Sequence, residues 1–358
     1  MKIKHLFSLA ALSLTAAATL TSCEDVLGHW ERPTGAAVTP ATPEEITKYE
    51  FKVTDLADAD VTGITAVKLT DAAGTVSVTA TLGDNGNYNV EKSDLASATM
   101  PIWVEVTAAK TYIQKLTAED LTALETSKKL TVATIGDVIT SEGAFAAKGA
   151  AEEQAVIAYV GKVDKYFTKF LAIALEDAAI NQSWANALIK AGEYAAAHAI
   201  TIGGTTYNTS TTGSTYYDQV ADNKDMSSAT ATAAQQGWRL PSVTDLRYIL
   251  DGLGRIKGGL TLTASKSGTT YSSNATPEEP LGVLELIEYR NGSDGSTLLS
   301  AINTACGNTA LQPYNYWSSS KCSGLSDMAW SYGFNNGQFV YANESTSTDA
   351  YVRAVFAY

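Results

Sequence analysis

The sequence is poor in the residues on which several large classes of function depend. It has 25 lysines and arginines against 38 aspartates and glutamates, which gives a formal net charge of −13. A nucleic-acid-binding protein needs a basic excess to replace counterions along the phosphates, and this chain has none. The same deficit disfavours adhesion to an anionic membrane through basic patches. We therefore expect no nucleic-acid partner and no electrostatic membrane contact.

Histidine and cysteine are also scarce, with three of each. A Ser-His-Asp set needs a histidine in a folded domain, and only His198 lies outside the first 47 residues. The chain has no P-loop and no dinucleotide-binding glycine motif. The aspartates of "YYDQVADNKD" lack the spacing of a calcium loop. We predict no catalytic residue, no metal site and no cofactor.

One long apolar run, residues 6–20, follows Lys2 and Lys4 and has the architecture of a signal peptide rather than of a membrane span. It ends in "LTSC", which resembles the lipobox of bacterial lipoproteins. That resemblance implies a signal peptide over residues 1–22 and lipidation of Cys23, with lipid as the membrane anchor. The alternative is an ordinary secretory signal followed by a chance cysteine.

The residues after Cys23 predict a tether and a location. Glu24 and Asp25 are similar to the export signal of surface-displayed lipoproteins in some Gram-negative bacteria, which implies lipid anchoring at the outer membrane. Proline, threonine and alanine then dominate residues 23–47, which we interpret as a lipidated tether. In an exported chain, Cys306 and Cys322 form either a disulfide or two separate thiols.

Hydrophobic periodicity predicts a multidomain protein. Residues 48–140 alternate apolar and polar side chains between turn signals, which indicates an antiparallel β-sandwich similar to immunoglobulin-like or fimbrillin-like modules. "LTAEDL" at 116–121 predicts a short helix with a Thr-x-x-Asp start. Residues 141–180 show helical spacing from Val156 to Leu171 and predict a helical junction. "SWANALIKAGEYAAAHA" predicts a further helix with Ser183 at its N-cap.

The most specific segment is "GWRLPSVTDLRYILDGLG", residues 237–254. Pro241 suits a helix start, and Ser242 with Asp245 makes a capping pair. The residues that follow predict one apolar helix face, made of Leu246, Ile249, Leu250 and Leu253. Together with "YWSSS" at 316–320 and "YVRAV" at 351–355, the segment resembles the C-type-lectin-fold domains related to the formylglycine-generating enzyme, a group that includes surface lipoprotein families. The resemblance implies an α+β lectin-like domain over residues 181–358. Cys306 and Cys322 do not match that enzyme's closely spaced cysteine pair.

The final 45 residues are dense in aromatic, serine and asparagine residues and resemble the variable region of target proteins of diversity-generating retroelements. Trp330, Tyr332 and Phe334 share one side of a strand, which we expect to face the core. The opposite side, followed by a hairpin at Asn336-Gly337, should face solvent. The predicted ligand-binding residues are Tyr314, Asn315, Ser331, Asn335, Asn336, Gln338 and Asn343.

Three functions follow from these observations. The first is a lipid-anchored adhesin or receptor that binds a protein or glycan on another surface, of which a fimbrial tip adhesin is a special case. The second is a structural or fimbria-associated surface lipoprotein without a dedicated ligand. The third is an enzyme of the formylglycine-generating type, for which the cysteines give no support.

Overall fold

The computed structural model describes most of the chain after residue 45. The described residues are 46–162, 168–210, 219–221, 236–255, 263–266, 269–272, 288–290, 299, 302–304, 311–323, 327–334 and 338–358. The predicted signal peptide, Cys23 and nearly all of the tether lie outside them. Strands outnumber helices throughout the described part of the chain.

Eight strands form the sheet structure predicted for residues 48–140. They are β1 (Lys48–Asp55), β2 (Ala66–Thr70), β3 (Ser77–Thr79), β4 (Thr81–Leu82), β5 (Tyr88–Glu91), β6 (Ile102–Thr107), β7 (Thr111–Leu116) and β8 (Lys129–Thr134). Their order is β3-β2-β6-β7-β8-β1-β5-β4, and they enclose one apolar core that includes Phe51, Leu69 and Val104. The alternation in the sequence arises because one face of these strands is buried.

Strand β1 holds the two halves of this structure together. Lys48–Phe51 pairs antiparallel with β5, whereas Lys52–Asp55 pairs parallel with β8. The prediction of a wholly antiparallel sandwich is therefore wrong at this pair. Alternation identifies the buried face of a strand but carries no information on the direction of its partner.

The predicted short helix is confirmed. Helix α1 (Ala118–Ser127) begins after Thr117, whose hydroxyl accepts from the Asp120 amide, while the Asp120 carboxylate accepts from the Thr117 amide at 2.7 Å. This reciprocal capping satisfies two backbone donors that the first turn leaves unpaired. A short 3-10 helix (Lys92–Leu95) is the other helical turn in this half.

A second sheet begins where the sandwich ends. Its strands are β9 (Val138–Thr140), β10 (Phe145–Ala146), β11 (Glu153–Val160), β12 (Phe170–Ala174), β17 (Gly237–Arg239) and β25 (Val355–Ala357). The order is β10-β9-β11-β12-β25-β17. Strand β25, close to the end of the sequence, thus lies between β12 and β17.

The predicted helical junction over residues 141–180 is wrong. The segment that shows helical spacing forms strands β11 and β12, which pair antiparallel with each other. All residues from Ala155 to Val160 are buried, so this strand is covered on both faces. A strand covered on both faces reads as a continuous apolar run, and such a run fits a helical period as well as a strand period. Because β12 pairs with β25, the predicted domain boundary at residue 181 is also wrong.

A third sheet presents the residues for which ligand binding was predicted. Its strands are β13 (Ala179–Gln182), β24 (Ala350–Val352), β21 (Asn315–Ser323), β22 (Met328–Gly333) and β23 (Gln338–Asn343), in that order, and β16 (Gln219–Ala221) pairs with β21. Two smaller groups are the hairpin of β14 (Ile200–Ile202) with β15 (Thr205–Tyr207), and β18 (Thr263–Lys266), β19 (Thr269–Ser272) and β20 (Glu288–Arg290).

Two helices cover these sheets. Helix α2 (Trp184–Ala197) begins after Ser183, as predicted, although the Ser183 side chain makes no capping hydrogen bond. Helix α3 (Val243–Arg255) begins with the predicted pair, because the Ser242 hydroxyl accepts from the Asp245 amide and the Asp245 carboxylate accepts from the Ser242 amide. The predicted apolar face of α3 is buried, and consists of Leu246, Ile249, Leu250 and Leu253.

A glycine lets α3 approach the second sheet closely. A Cβ atom at Gly252 would lie 1.8 Å from the carbonyl oxygen of Ala158 on β11. No flexible side chain is available to move away, since the nearest atom belongs to the backbone of a buried strand. The close contact between helix and sheet therefore depends on the missing side chain.

We expect Gly252→Ala to lower the free energy of unfolding by about 1–3 kcal/mol, because the added methyl group forces α3 away from β11. Gly192→Ala on α2 is the matched control, since its Cβ would meet only the Ser210 Cβ at 3.8 Å. There, better helix propensity should stabilise the protein by up to about 1 kcal/mol. Urea unfolding of both variants is the measurement, and shifts of the same sign would contradict the steric explanation.

The sandwich and the second sheet share an aromatic core. Trp103 on β6 is 3% exposed, and its ring centroid lies 4.8 Å from that of Tyr358, 6.2 Å from Phe170 and 6.3 Å from Phe145. These four rings belong to one buried cluster. Residues Ile46–Tyr358 accordingly form one compact unit rather than separate domains joined by a helical linker.

Candidate ligand-binding site

Among the predicted ligand-binding residues whose side chains the structure describes, Tyr314 is the most accessible. Its side chain is 50% exposed, and among the described residues it is the one exposed aromatic ring. Its backbone is fixed from both sides, because its amide donates to Gln312 O at 2.8 Å and its carbonyl accepts from the Phe334 amide at 3.1 Å. The exposed ring is therefore attached to a backbone that hydrogen bonds hold in place, directly before β21.

The exposed Tyr314 ring rests on a second tyrosine. The rings of Tyr314 and Tyr351 stack with centroids 5.1 Å apart and an interplanar angle of 6°. Tyr351 in turn contacts Tyr316, whose ring meets Phe334 edge-on at 5.4 Å. We call Tyr314, Tyr351 and the neighbouring Asp177 the Tyr314 patch. It is the exposed end of a series of rings that continues into the core.

Parallel pairing of β21 with β24 creates this patch. The register places Tyr316 opposite Tyr351, and Tyr314 lies two residues before Tyr316 on the same side of the chain. Asn315 falls on the other side with Trp317, which packs against Trp184 of α2. The half-buried Asn315 therefore does not join Tyr314 in one surface.

An ion pair with a buried arginine holds Asp177 in the patch. Asp177 lies with its Oδ1 2.8 Å from Nε of Arg353, and its Oδ2 accepts from the Tyr316 hydroxyl at 3.2 Å. Arg353 is 3% exposed and donates from Nη1 to the Ala174 carbonyl at 3.1 Å. Burial raises the pKa of Asp177, and the Arg353 charge opposes that rise. Burial, followed by the nearby Tyr314 and the Asp177 charge, raises the pKa of Tyr351.

The prediction that Ser331 faces solvent is wrong. Ser331 is 1% exposed, and its neighbours Ala329 and Trp330 are also buried. Strand β22 is covered on both sides, because Ala329 packs in the cluster of α2 while Trp330 and Tyr332 pack in the cluster of α3. The prediction that Trp330, Tyr332 and Phe334 are core residues is confirmed. Period-two spacing identified the inward face but not the helix that covers the other one.

Asn343 has a role in the fold. Its Oδ1 accepts from the Ser345 amide, the Ser345 hydroxyl and the Thr346 amide, each at 3.0 Å, which fixes the turn after β23. Asn335 and Asn336 lie outside the described residues, as do Cys306 and the side chains of Gln338 and Cys322. The predicted ligand-binding contribution of these residues and the predicted disulfide therefore stay predictions.

Two of the three motifs that suggested a lectin-like domain meet at one buried polar junction. The Ser319 amide donates to Pro241 O at 2.7 Å, and the Val243 amide donates to the Ser320 hydroxyl at 3.0 Å. Beside them, Arg239 pairs with Asp245 through two hydrogen bonds, and both side chains are fully buried. "GWRLPS" and "WSSS" thus hold the start of α3 against β21, the strand that follows Tyr314.

Sequence reasoning missed three residues that matter here. Tyr351 and Arg353 lie in the quoted "YVRAV" segment, but Tyr351 meets Tyr316 through the parallel pairing of β21 with β24. Arg353 meets Asp177 and Ala174, which are distant in sequence. Asp177 was assigned to the predicted helical junction, so its position beneath Tyr316 was not foreseen. A local signal existed only for Tyr351, as an aromatic residue in the tyrosine-rich end of the sequence.

The described residues contain no group of three or more histidine, cysteine, aspartate or glutamate side chains that could hold a metal ion. His198 stacks on Tyr194 at 3.9 Å and lies with its Nε2 3.6 Å from Glu176 Oε1. Within the described part of the chain, no helix is long and apolar enough to cross a membrane.

Comparison with known proteins does not assign this chain to a family. No family model matches the chain, and no curated protein matches it. Among solved structures, the chain is similar to a fimbrial protein from Bacteroides ovatus ATCC 8483, with 10% identity, 87% of this chain and 71% of that chain covered, and a TM-score of 0.28. At this TM-score the similarity carries no argument about fold or function.

Proposed function

We propose that this chain is a lipid-anchored, non-catalytic protein of the bacterial cell surface that binds a protein or glycan ligand through the Tyr314 patch. The observation that carries the proposal is the half-exposed Tyr314 ring stacked on Tyr351. Tyrosine supplies a large, rigid contact area at a small loss of side-chain entropy, and it is enriched among the residues that dominate binding energy.

The proposal includes a lipid anchor at Cys23 and a location at the outer membrane. The apolar run that ends at Cys23 supports lipid attachment at the outer membrane of a Gram-negative bacterium, and residues 24–47 supply a tether. The sandwich then serves as a stalk beneath a C-terminal unit with a lectin-like fold. The junction between "GWRLPS" and "WSSS" supports that fold, because the segments that carry the resemblance contact each other.

A second candidate is a structural or fimbria-associated surface lipoprotein without a dedicated ligand. Two observations favour it, since Ser331 is buried and Asn343 is engaged in a turn. Fewer polar side chains are then available for a ligand than the sequence suggested. A catalytic role of the formylglycine-generating type has no comparable support.

The proposal predicts a loss of adhesion without a loss of folding. We expect Tyr314→Ala to weaken attachment of cells displaying the full chain to a ligand-coated surface by about tenfold, because a tyrosine at the centre of a contact contributes on the order of 1–2 kcal/mol. Thermal stability should change by less than about 1 kcal/mol, since the ring is half exposed. Plates coated with mucin, with glycans released from it, or with albumin would separate glycan from protein ligands.

The controls separate binding from display. Ile189→Ala removes a side chain of similar exposure on α2 and should leave attachment unchanged. Cys23→Ala should move the protein from the membrane fraction to the soluble fraction. Attachment that is equal for the wild type and Tyr314→Ala, at equal surface levels, would favour the structural alternative.

A further inference from the structure

The chain segments around the Tyr314 patch carry charge of one sign. Residues 176–182, 311–320 and 343–352 supply strand β13, the start of β21 and the approach to β24, and together they contain four acidic residues and no basic residue. They are Glu176, Asp177, Glu344 and Asp349. Glu344 forms an ion pair with Lys321 at 2.9 Å, so its charge is largely compensated. Asp177 is paired with Arg353 at 2.8 Å, so the exposed carboxylates of Glu176 and Asp349 give the patch its acidic rim.

The basic residue nearest to the patch in sequence is buried and compensates only Asp177 among the described carboxylates of these segments. Arg353 follows directly after these segments, but it is 3% exposed and its Nη1 donates inward to the Ala174 carbonyl. Asp177 pairs with that guanidinium and is more exposed, at 15% of its side chain. The Asp177 charge nevertheless contributes, after burial and Tyr314, to the raised pKa of Tyr351. The field at the tyrosine pair is therefore negative.

The geometry of the pair leaves one aromatic face open. Tyr351 covers one side of the Tyr314 ring in parallel stacking, and the 50% exposure of Tyr314 comes from the other side and the ring edge. The face of an aromatic ring carries the negative part of its quadrupole and attracts a cation placed over it. An open ring face with carboxylates nearby is a site for a positively charged group.

We infer that the Tyr314 patch receives an arginine or lysine side chain of a protein ligand. This inference rests on the proposed function and specifies its ligand. The cationic group stacks on the free face of Tyr314, where the charges of the exposed Glu176 and Asp349 add to the attraction. The net charge of −13 on the whole chain attracts such a ligand from a distance and raises its rate of encounter.

The test compares two labelled peptides for binding to the full chain by fluorescence anisotropy. One peptide alternates glycine with arginine, and the other alternates glycine with glutamine. We expect tighter binding of the arginine peptide, and Tyr314→Ala should weaken it by about 2–5-fold, which corresponds to about 0.5–1 kcal/mol for an exposed cation–π contact. Tyr314→Phe keeps the ring face and should keep most of the affinity, while Ile189→Ala should have no effect.

Salt separates the ring contact from the general charge. Raising sodium chloride from about 20 mM to about 200 mM should weaken the arginine peptide on every variant, because screening acts on the whole acidic surface. The ratio between wild type and Tyr314→Ala should persist. Equal dissociation constants for these two proteins would overturn the inference, since general charge would then explain the binding. Equal affinity for both peptides would also overturn it.

These outcomes differ from those that bear on the proposed function. If Tyr314→Ala abolishes cell attachment but the arginine peptide shows no preference, the patch binds a neutral ligand such as a glycan and only the cationic specificity is wrong. If neither attachment nor peptide binding depends on Tyr314, the proposed function fails together with the inference.

Discussion

Replacing Arg239 by methionine is expected to lower the free energy of unfolding by about 3–5 kcal/mol, because Asp245 would be left as an unpaired buried charge. Both side chains are fully buried, with Nε–Oδ2 and Nη2–Oδ1 distances of 3.0 Å and 2.6 Å. Asp245 also caps α3 through the Ser242 amide at 2.9 Å. The change should therefore loosen the start of α3 as well as β17.

The double variant Arg239→Met/Asp245→Leu tests this mechanism. The double variant contains no unpaired buried charge, so it should be more stable than either single variant. It should still lose about 1 kcal/mol relative to the wild type, because the cap of α3 is lost. Urea unfolding of all four proteins gives the coupling energy. The exposed pair Lys190–Glu193 on α2 is the control, where Lys190→Met should cost less than about 0.5 kcal/mol. Additive losses at Arg239 and Asp245 would contradict the explanation.

Trp103→Ala is expected to lower the free energy of unfolding by about 3–5 kcal/mol and to separate the sandwich from the rest of the chain. The indole fills the space between β6 and the rings of Phe170 and Tyr358. Lys169 also lies over it, with Nζ 5.9 Å from the ring centroid. This aromatic cluster joins the two sheets. Removing the indole therefore weakens the contact that makes the two sheets unfold together.

Calorimetry distinguishes this effect from ordinary loss of a core side chain. The wild type should unfold in one transition for residues 46–358, and Trp103→Ala should show two. Val104→Ala is the control, because Val104 is equally buried but belongs to the internal core of the sandwich. It should lower stability while keeping a single transition. A single transition in Trp103→Ala would show that the sheets are coupled elsewhere.

Elements with a local chemical signal could be predicted from the sequence. The caps of α1 and α3 and the buried face of α3 followed from short spacings, because a helix is defined within its own segment. The inward rings Trp330 and Tyr332 followed in the same way from the period of a strand. These predictions needed no knowledge of the partner element.

Elements that depend on distant partners could not be predicted. The spacing in residues 156–171 predicts a helix where the structure has strand β11, because burial on both faces removes the alternation that identifies a strand. Ser331 was assigned to the surface, since nothing near it in sequence indicates that α2 covers it. Tyr351 and Tyr316 are opposite each other only because β21 and β24 run parallel, and parallel pairing of distant strands has no local signature.

The most direct test of the account is hydroxyl-radical footprinting of the full chain on the bacterial surface, with and without the coated surface to which the cells attach. We expect oxidation of Tyr314 to fall strongly on attachment and oxidation of Ile189, a residue of similar exposure on α2, to stay unchanged. Unchanged oxidation of Tyr314 on firmly attached cells would contradict the claim that this patch is the binding surface.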